Sequence, residues 1–282
     1  VKDSPLLSIC LISYNQEEFI LEALKGVAMQ EVDFEYELLI ADDRSTDQTP
    51  ALIREYISTG AIRHVRFLDR PANLGMQRNW HDALTQARGK YVALLEGDDY
   101  WTDRHKLSKQ VGFLEAHPQY AGCFHNTEER HEDPTIASTL YCQFPNAMDV
   151  GIEILARNNV MPTCSLVFRI LAPLPMPEWF FTLKMVDWPF SIMNSQFGPY
   201  YYLPKVMGVH RLHSGSAWSL QSKKDNLRYI GDAYRAMCDH FQHDQLFSEH
   251  LHKAYMQFGQ QDVPQKRGML DRLRSRIRRA IS

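Results

Sequence analysis

Two acidic clusters, Asp42-Asp43 and Gly97-Asp98-Asp99, and one polar trio, Ser13-Tyr14-Asn15, each follow directly on a short apolar run. Carboxylates gathered in one place repel one another unless a cation or hydrogen-bond donors offset them, and a plain strand end has little need of them. A divalent metal shared with a phosphorylated ligand would reconcile the two clusters. A competing reading applies to the first cluster. Asp42, Asp43 and Asp47 precede Thr49-Pro50, and Asp is favoured near helix starts, so for Asp42 both roles stay open. Capping explains Asp98-Asp99 less well, because Asp103 stands closer to the next helix and Tyr100-Trp101 interrupts the polar run.

The elements that must position these groups are legible in the apolar pattern. Leu6 to Ile12, Glu37 to Ala41, Val65 to Leu68 and Tyr91 to Leu95 read as buried strands. They recur about 30 residues apart with helical patterns between them, the rhythm of parallel strands joined by crossover helices. In such a sheet ligands bind beyond the carboxyl ends of the strands, where all three polar groups stand. Asn15 and Glu18 have capping-box spacing, and Thr49-Pro50 offers an N-cap followed by a first-turn proline. A helix from Asp103 to His117 and a strand from Tyr120 to Phe124 extend the unit. Asn126 to Trp179 is loop-rich and broken by prolines, with a strand at Ser165 to Ile170. Beyond it the pattern predicts a helix from Asp187 to Gln196, strands at Tyr200 to Leu203 and Val206 to Arg211, and helical segments from Lys224 to Phe258.

Composition bounds the class. The 282 residues are 44% hydrophobic and 23% charged, with 14 Gly and 14 Pro, which excludes collagen-like, low-complexity and wholly disordered chains. Five cysteines without C-x-x-C spacing imply neither a disulfide scaffold nor a Cys-based metal site, and suit a reducing, cytoplasmic setting. No apolar run approaches about 18 residues and the amino terminus lacks a signal-peptide layout, so no membrane span is expected. Missing phosphate-loop glycines after the first strand argue against a nicotinamide-dependent dehydrogenase and a nucleotidyltransferase.

The net charge of −3 hides an asymmetry, because residues 265–282 carry Lys266, Arg267, Arg272, Arg274, Arg276, Arg278 and Arg279 against Asp271 alone. Met269, Leu270, Leu273, Ile277, Ala280 and Ile281 fall at three- and four-residue steps, the pattern of an interfacial helix on an anionic membrane surface. A solvated chain end is the other reading. Nucleic acid is not expected as a partner, given the acidic body.

Four segments together resemble the inverting nucleotide-sugar glycosyltransferases of the family-2 type. They are Ser8-Ile9-Cys10-Leu11-Ile12-Ser13-Tyr14-Asn15, Leu39 to Asp47, Asn73-Leu74-Gly75 with Arg78-Asn79, and Gly89 to Trp101 ending in Glu96-Gly97-Asp98-Asp99-Tyr100-Trp101. The resemblance implies an α/β chain of GT-A type: a Rossmann-like, mostly parallel central sheet flanked by helices, with a C-terminal helical extension. Its divisions would be a nucleotide-sugar-binding half over 1–125, an acceptor and catalytic-base half over 126–222, helices over 223–264, and the basic tail. It implies a donor pocket from Ser13, Tyr14, Asn15, Asp43, Asn73, Arg78, Glu96, Gly97, Asp98 and Arg211. Asp98 and Asp99 match the acidic metal motif, with Glu96 at the position where the family usually writes its first Asp. Met185-Val186-Asp187-Trp188-Pro189-Phe190 resembles the family's helix-opening acid, making Asp187 the general base. His210-Arg211-Leu212-His213 resembles its Arg-any-His segment, making His213 a further ligand for Mn²⁺ or Mg²⁺. Arg211 would pair with phosphate or brace the loop, and Trp188 and Trp218 are candidates for stacking on sugar.

The implied function is metal-dependent transfer of a sugar from a nucleoside diphosphate, UDP favoured, to a saccharide or lipid-linked hydroxyl acceptor in surface polysaccharide or glycoconjugate synthesis. The enzyme would be cytoplasmic and peripheral on the inner face of the plasma membrane. The rival is a catalytically degenerate nucleotide-sugar-binding module.

Overall fold

A computed structural model describes residues 4–68, 70–170, 176–215 and 221–262. The chain divides into two compact units, Val1–Ser222 and Lys223–Ser282.

In the first unit the strands β1 (Leu7–Ser13), β2 (Tyr36–Asp42), β3 (Val65–Phe67) and β4 (Tyr91–Glu96) alternate with the helices α1 (Ile20–Ala28), α2 (Thr49–Ser58) and α3 (Met76–Gln86). The four strands lie in the order β3-β2-β1-β4 and are all parallel, as their spacing predicts. Helices on both faces explain why β1 is apolar almost throughout: Leu7, Ile9, Cys10 and Leu11 are completely buried. Burying each large aliphatic side chain contributes about 1.5–3 kcal/mol before entropy is counted.

After β4 the pattern becomes mixed. The short β5 (Tyr100–Trp101) leads into α4 (Lys106–Ala116), and β6 (Gly122–His131), β7 (Thr139–Leu140), β8 (Met148–Val150), α5 (Ile152–Leu155), β9 (Val167–Arg169), α6 (Asp187–Asn194) and β10 (Tyr200–Leu212) follow. The sheet continues β4-β9-β6-β10-β5. β9 is antiparallel to both neighbours, and β10 is parallel to β6. Two reversals restore the original direction, so β10 delivers its carboxyl end to the same sheet edge as β1, β2 and β4. β5 then pairs antiparallel with Gly208 and Val209 of β10, fastening the chain just after Asp99 to that strand.

Local details depart from the expected pattern. Tyr200 to Leu212 forms one strand with bulges between Leu203 and Gly208, because the extra residues are absorbed against β6 without a turn. The Asn15-Glu18 capping box does not form. Asn15 adopts a positive φ of 52° and its Oδ1 accepts the Thr46 N–H at 2.8 Å, while the Gln16 carbonyl accepts the Phe19 and Ile20 N–H groups that open α1. Thr49 is the first residue of α2 and Gln48 its N-cap; Asp47, one residue earlier, accepts the Thr49 N–H on Oδ1 at 2.9 Å. All five cysteines are buried free thiols.

The second unit contains α7 (Lys223–His240) and α8 (Gln245–Asp262), two helices where the apolar pattern runs on without a break. Asp244 interrupts it, its Oδ1 accepting the Phe247 N–H at 3.1 Å. Tyr234 stacks on Tyr255 and Phe241 on Phe247, with centroids 5.6 and 4.8 Å apart. The basic segment 265–282 lies outside the described residues. Among those that are described, no helix is long and apolar enough to cross a membrane.

Candidate active site

The parallel register sets Ser13 opposite Asp42 and Ile12 opposite Glu96, so the ends of β1, β2 and β4 form one polar edge. Asp42 is buried in hydrogen bonds: Oδ1 accepts the Ser13 and Ser45 hydroxyls at 3.1 and 2.5 Å, and Oδ2 accepts the Ser45 N–H at 3.0 Å. It braces the turn after β2 and does not cap the helix that starts at Thr49. Ser13, also buried, spends its hydroxyl on that brace. Asp43 receives the Leu74 N–H on Oδ1 at 2.7 Å, and Asn73 Nδ2 donates to the Asp43 carbonyl at 2.8 Å. Asp43 and Asn73 are thereby locked together, with Tyr14, 48% exposed, open to solvent on the same edge. Arg78, exposed, lies over the Phe181 ring with its guanidinium carbon 4.9 Å from the centroid.

Gly97 follows β4, and a Cβ there would crowd Gln16 Oε1 at 2.3 Å, Ile20 Cδ1 at 3.0 Å and Ser13 Cβ at 3.1 Å. Asp98 and Asp99 follow it and reach the end of β10. His213 Nε2 and Asp98 Oδ2 are 3.0 Å apart. Asp99 Oδ1 accepts the Arg211 N–H at 2.8 Å, while Oδ2 is buried without a hydrogen-bond partner among the described residues. Arg211 is a brace: its guanidinium donates to the Asp98 carbonyl at 2.5 Å, pairs with Glu22, and packs over the Phe19 and Tyr100 rings.

Asp187 opens α6 on the far side of the acidic group. Its Oδ2 accepts Asn159 Nδ2 at 2.6 Å. Burial raises its carboxyl above the ordinary Asp value, against the Asn159 hydrogen bond and the N–H groups at the helix start. Glu96 is raised well above the usual range, chiefly by burial and then by the charges of Asp99, Asp98 and Asp187. Burial likewise pushes Asp99 up to about 7, with the His210 charge opposing. His213 is raised by its hydrogen bond to Asp98. The charges of Asp98, Asp99 and Asp187 thus all act on Glu96.

A cation fits this donor set. Asp98 and His213 already face each other with oxygen and nitrogen donors, and the buried Asp99 beside them adds like charge to that of Asp98. Among the described residues no three of His, Cys, Asp or Glu close around one point, so a bound cation would complete its shell with ligand oxygens.

Trp188 is a correction: it is 2% exposed and its indole N–H donates to the Leu155 carbonyl at 2.7 Å, so it belongs to the core and offers no open face to a sugar. Trp218 lies outside the described residues. Asn159 and His210 escaped the sequence reading as site residues. Asn159 stands in a loop without a motif, and His210 is marked only by its place three residues before His213.

A family model described as Glycosyl transferase family 2 matches residues 8–169. An uncharacterized protein of Mycobacterium tuberculosis is 40% identical over 219 residues, 75% of this chain and 60% of that protein. The chain therefore spans about three fifths of the length of the mycobacterial relatives it matches. Among solved structures, Staphylococcus aureus TarS 1-349 in complex with UDP-GlcNAc superimposes with a TM-score of 0.65 at 19% identity, covering 89% of this chain and 71% of that one. TarS is named a poly(ribitol-phosphate) beta-N-acetylglucosaminyltransferase. A mannosyltransferase of Pyrobaculum calidifontis, in complex with GDP-Man and Mn²⁺, gives a TM-score of 0.57 at 18% identity, covering 90% and 70%. These likenesses show a GT-A fold.

Proposed function

Because the chain belongs to glycosyl transferase family 2, we propose that it moves a sugar from a nucleoside diphosphate, with UDP favoured, to a hydroxyl acceptor with inversion, assisted by Mn²⁺ or Mg²⁺. The observation that carries this reading is the Asp98–His213 pair at 3.0 Å, set where the carboxyl ends of parallel strands meet. Asp98 and His213, with Asp99 behind them, would hold the cation. When bound, it would supply Lewis-acid stabilisation for the charge that develops on the departing diphosphate.

The chain's own groups divide the remaining work. The Asp43-Asn73 platform and the exposed Tyr14 ring receive the base and ribose, Asp43 accepting from a base N–H as its acceptor-only carboxylate can. Arg211 keeps the Asp98 segment in place. Asp187 takes the acceptor proton as its oxygen attacks the anomeric carbon, so that a single displacement inverts that centre. Burial and the like charge of Asp99, Asp98 and Asp187 raise the carboxyl of its neighbour Glu96.

The TarS complex supports a UDP carrier and the mannosyltransferase complex supports Mn²⁺; the acceptor would be a saccharide or lipid-linked hydroxyl in surface polysaccharide or glycoconjugate synthesis. The tail at 265–282 would place the site beside an anionic membrane surface. Thermal unfolding with UDP, GDP, UDP-GlcNAc and GDP-mannose, each with Mn²⁺ or EDTA, tests the donor reading, since a ligand stabilises the state it binds. A metal-dependent rise with a uridine carrier is expected; no rise with any nucleotide contradicts the reading.

A further inference from the structure

Asp187 is met from outside its own helix by a donor that belongs to none of the motifs. Asn159 stands in the loop between α5 and β9 and gives its Nδ2 to Asp187 Oδ2 at 2.6 Å. Asn159 is itself held from two sides: its Oδ1 accepts the Met161 N–H at 3.4 Å and its backbone carbonyl accepts the Tyr141 hydroxyl at 3.3 Å. With the amide oxygen turned to a backbone donor, the NH₂ end must face the carboxylate, so the side chain has one sense of orientation.

Resting on the reading of Asp187 as the general base, we infer that Asn159 is a positioning residue, whose amide fixes one oxygen of Asp187 and leaves the other for the proton of the acceptor hydroxyl. A hydrogen bond given to a carboxylate favours its charged form, which a base must start from. The other titratable groups that act on Asp187 are Glu96 at the end of β4, Tyr141 after β7 and His210 on β10; on α6 itself the N–H groups of Asp187 and Trp188 assist. Glu96 and burial oppose ionisation, and Asn159 is the neutral donor aimed at the side chain from another element.

The test is a carbon-13 carboxyl titration of the full chain labelled at aspartate, with the Asp187 resonance identified by its loss in Asp187→Asn. In Asn159→Ala the midpoint should move up by about one pH unit, and in Asn159→Asp further, because a second carboxylate then faces the first. A loop that merely lost packing would leave the midpoint in place. Turnover of UDP-GlcNAc with Mn²⁺ should fall about tenfold in Asn159→Ala with KM for the donor unchanged. An Asp187 midpoint unmoved in both Asn159 variants overturns the positioning role. A moved midpoint with UDP release by Asp187→Asn equal to that of the unaltered chain overturns the base reading instead, and leaves the Asn159–Asp187 link standing.

Discussion

His213 and Asp98 are 115 residues apart in sequence and 3.0 Å apart in space, Nε2 to Oδ2. Two strands bring them together. β4 ends one residue before Gly97, β10 ends one residue before His213, and β5 ties the two together through Gly208 and Val209. An imidazole and a carboxylate held this way can serve each other or share a cation.

UDP should therefore bind far more weakly in EDTA than in Mn²⁺, because its diphosphate would otherwise face Asp98 and Asp99 unshielded. His213→Ala should reduce the Mn²⁺-dependent part of that affinity by at least about tenfold, in line with losing one ligand. Calorimetry with UDP checks both; equal affinity with and without metal would remove the shared cation from the account.

Asp187→Asn should leave UDP affinity nearly intact and lower turnover by at least about 10²-fold, since an amide keeps the size of the side chain but cannot accept the proton. The pH dependence has a definite sign. Burial raises the Asp187 carboxyl, so the base is lost to protonation at a higher pH than an ordinary Asp. The acidic limb of the rate profile should lie above about 3.9, and a limb at or below that value in steady-state rates would exclude Asp187 as the base.

Lys106 offers a stability prediction outside the site. Its side chain is fully buried on α4, with Nζ 4.2 Å from the centroid of the Trp101 ring and no hydrogen-bond partner among the described residues. Burial brings its amine down to about 7. Between that value and the unfolded value of about 10.4 the unfolded chain binds the extra proton, so this group makes stability rise with pH by up to about 1.4 kcal/mol per unit. Below about 7 both states are charged and the full penalty persists. Lys106→Met should flatten that slope and raise stability near neutral pH, as urea unfolding at pH 7 and 9 would measure. Parallel profiles for the two proteins would refute it.

The basic tail should bind anionic vesicles in a salt-sensitive way, at roughly 1 kcal/mol per basic residue near the surface. Co-sedimentation of the full chain and of a truncation ending at Val263 separates the tail from the body. Equal binding by both forms, or none by either at low salt, would assign its arginines to another partner.

Much of the first 125 residues is readable without coordinates. Buried parallel strands need near-continuous apolar runs, and the turns after them need polar residues, so Leu7–Ser13, Tyr36–Asp42 and Tyr91–Glu96 announce both the sheet and its polar edge. Finer choices differ from the local pattern because local preference competes with long-range bonding. Asn15 has the right spacing for a cap, yet Thr46 claims its side chain from across the turn.

Sequence by itself determined the types of group available: carboxylates after the second and fourth strands, an acid opening a helix at Asp187, and an imidazole at His213. Tertiary structure decided what each one does. Asp42 and Asp43 follow one another, but Asp42 turns inward to Ser13 and Ser45 while Asp43 reaches Leu74. Trp188 adjoins Asp187 yet points into the core, and Asn159 reaches Asp187 from a loop with no recognisable pattern. A motif fixes chemistry through residue type, whereas direction and partner depend on which distant backbone supplies the donor, and that is set only when the sheet closes from β4 through β9 and β6 to β10.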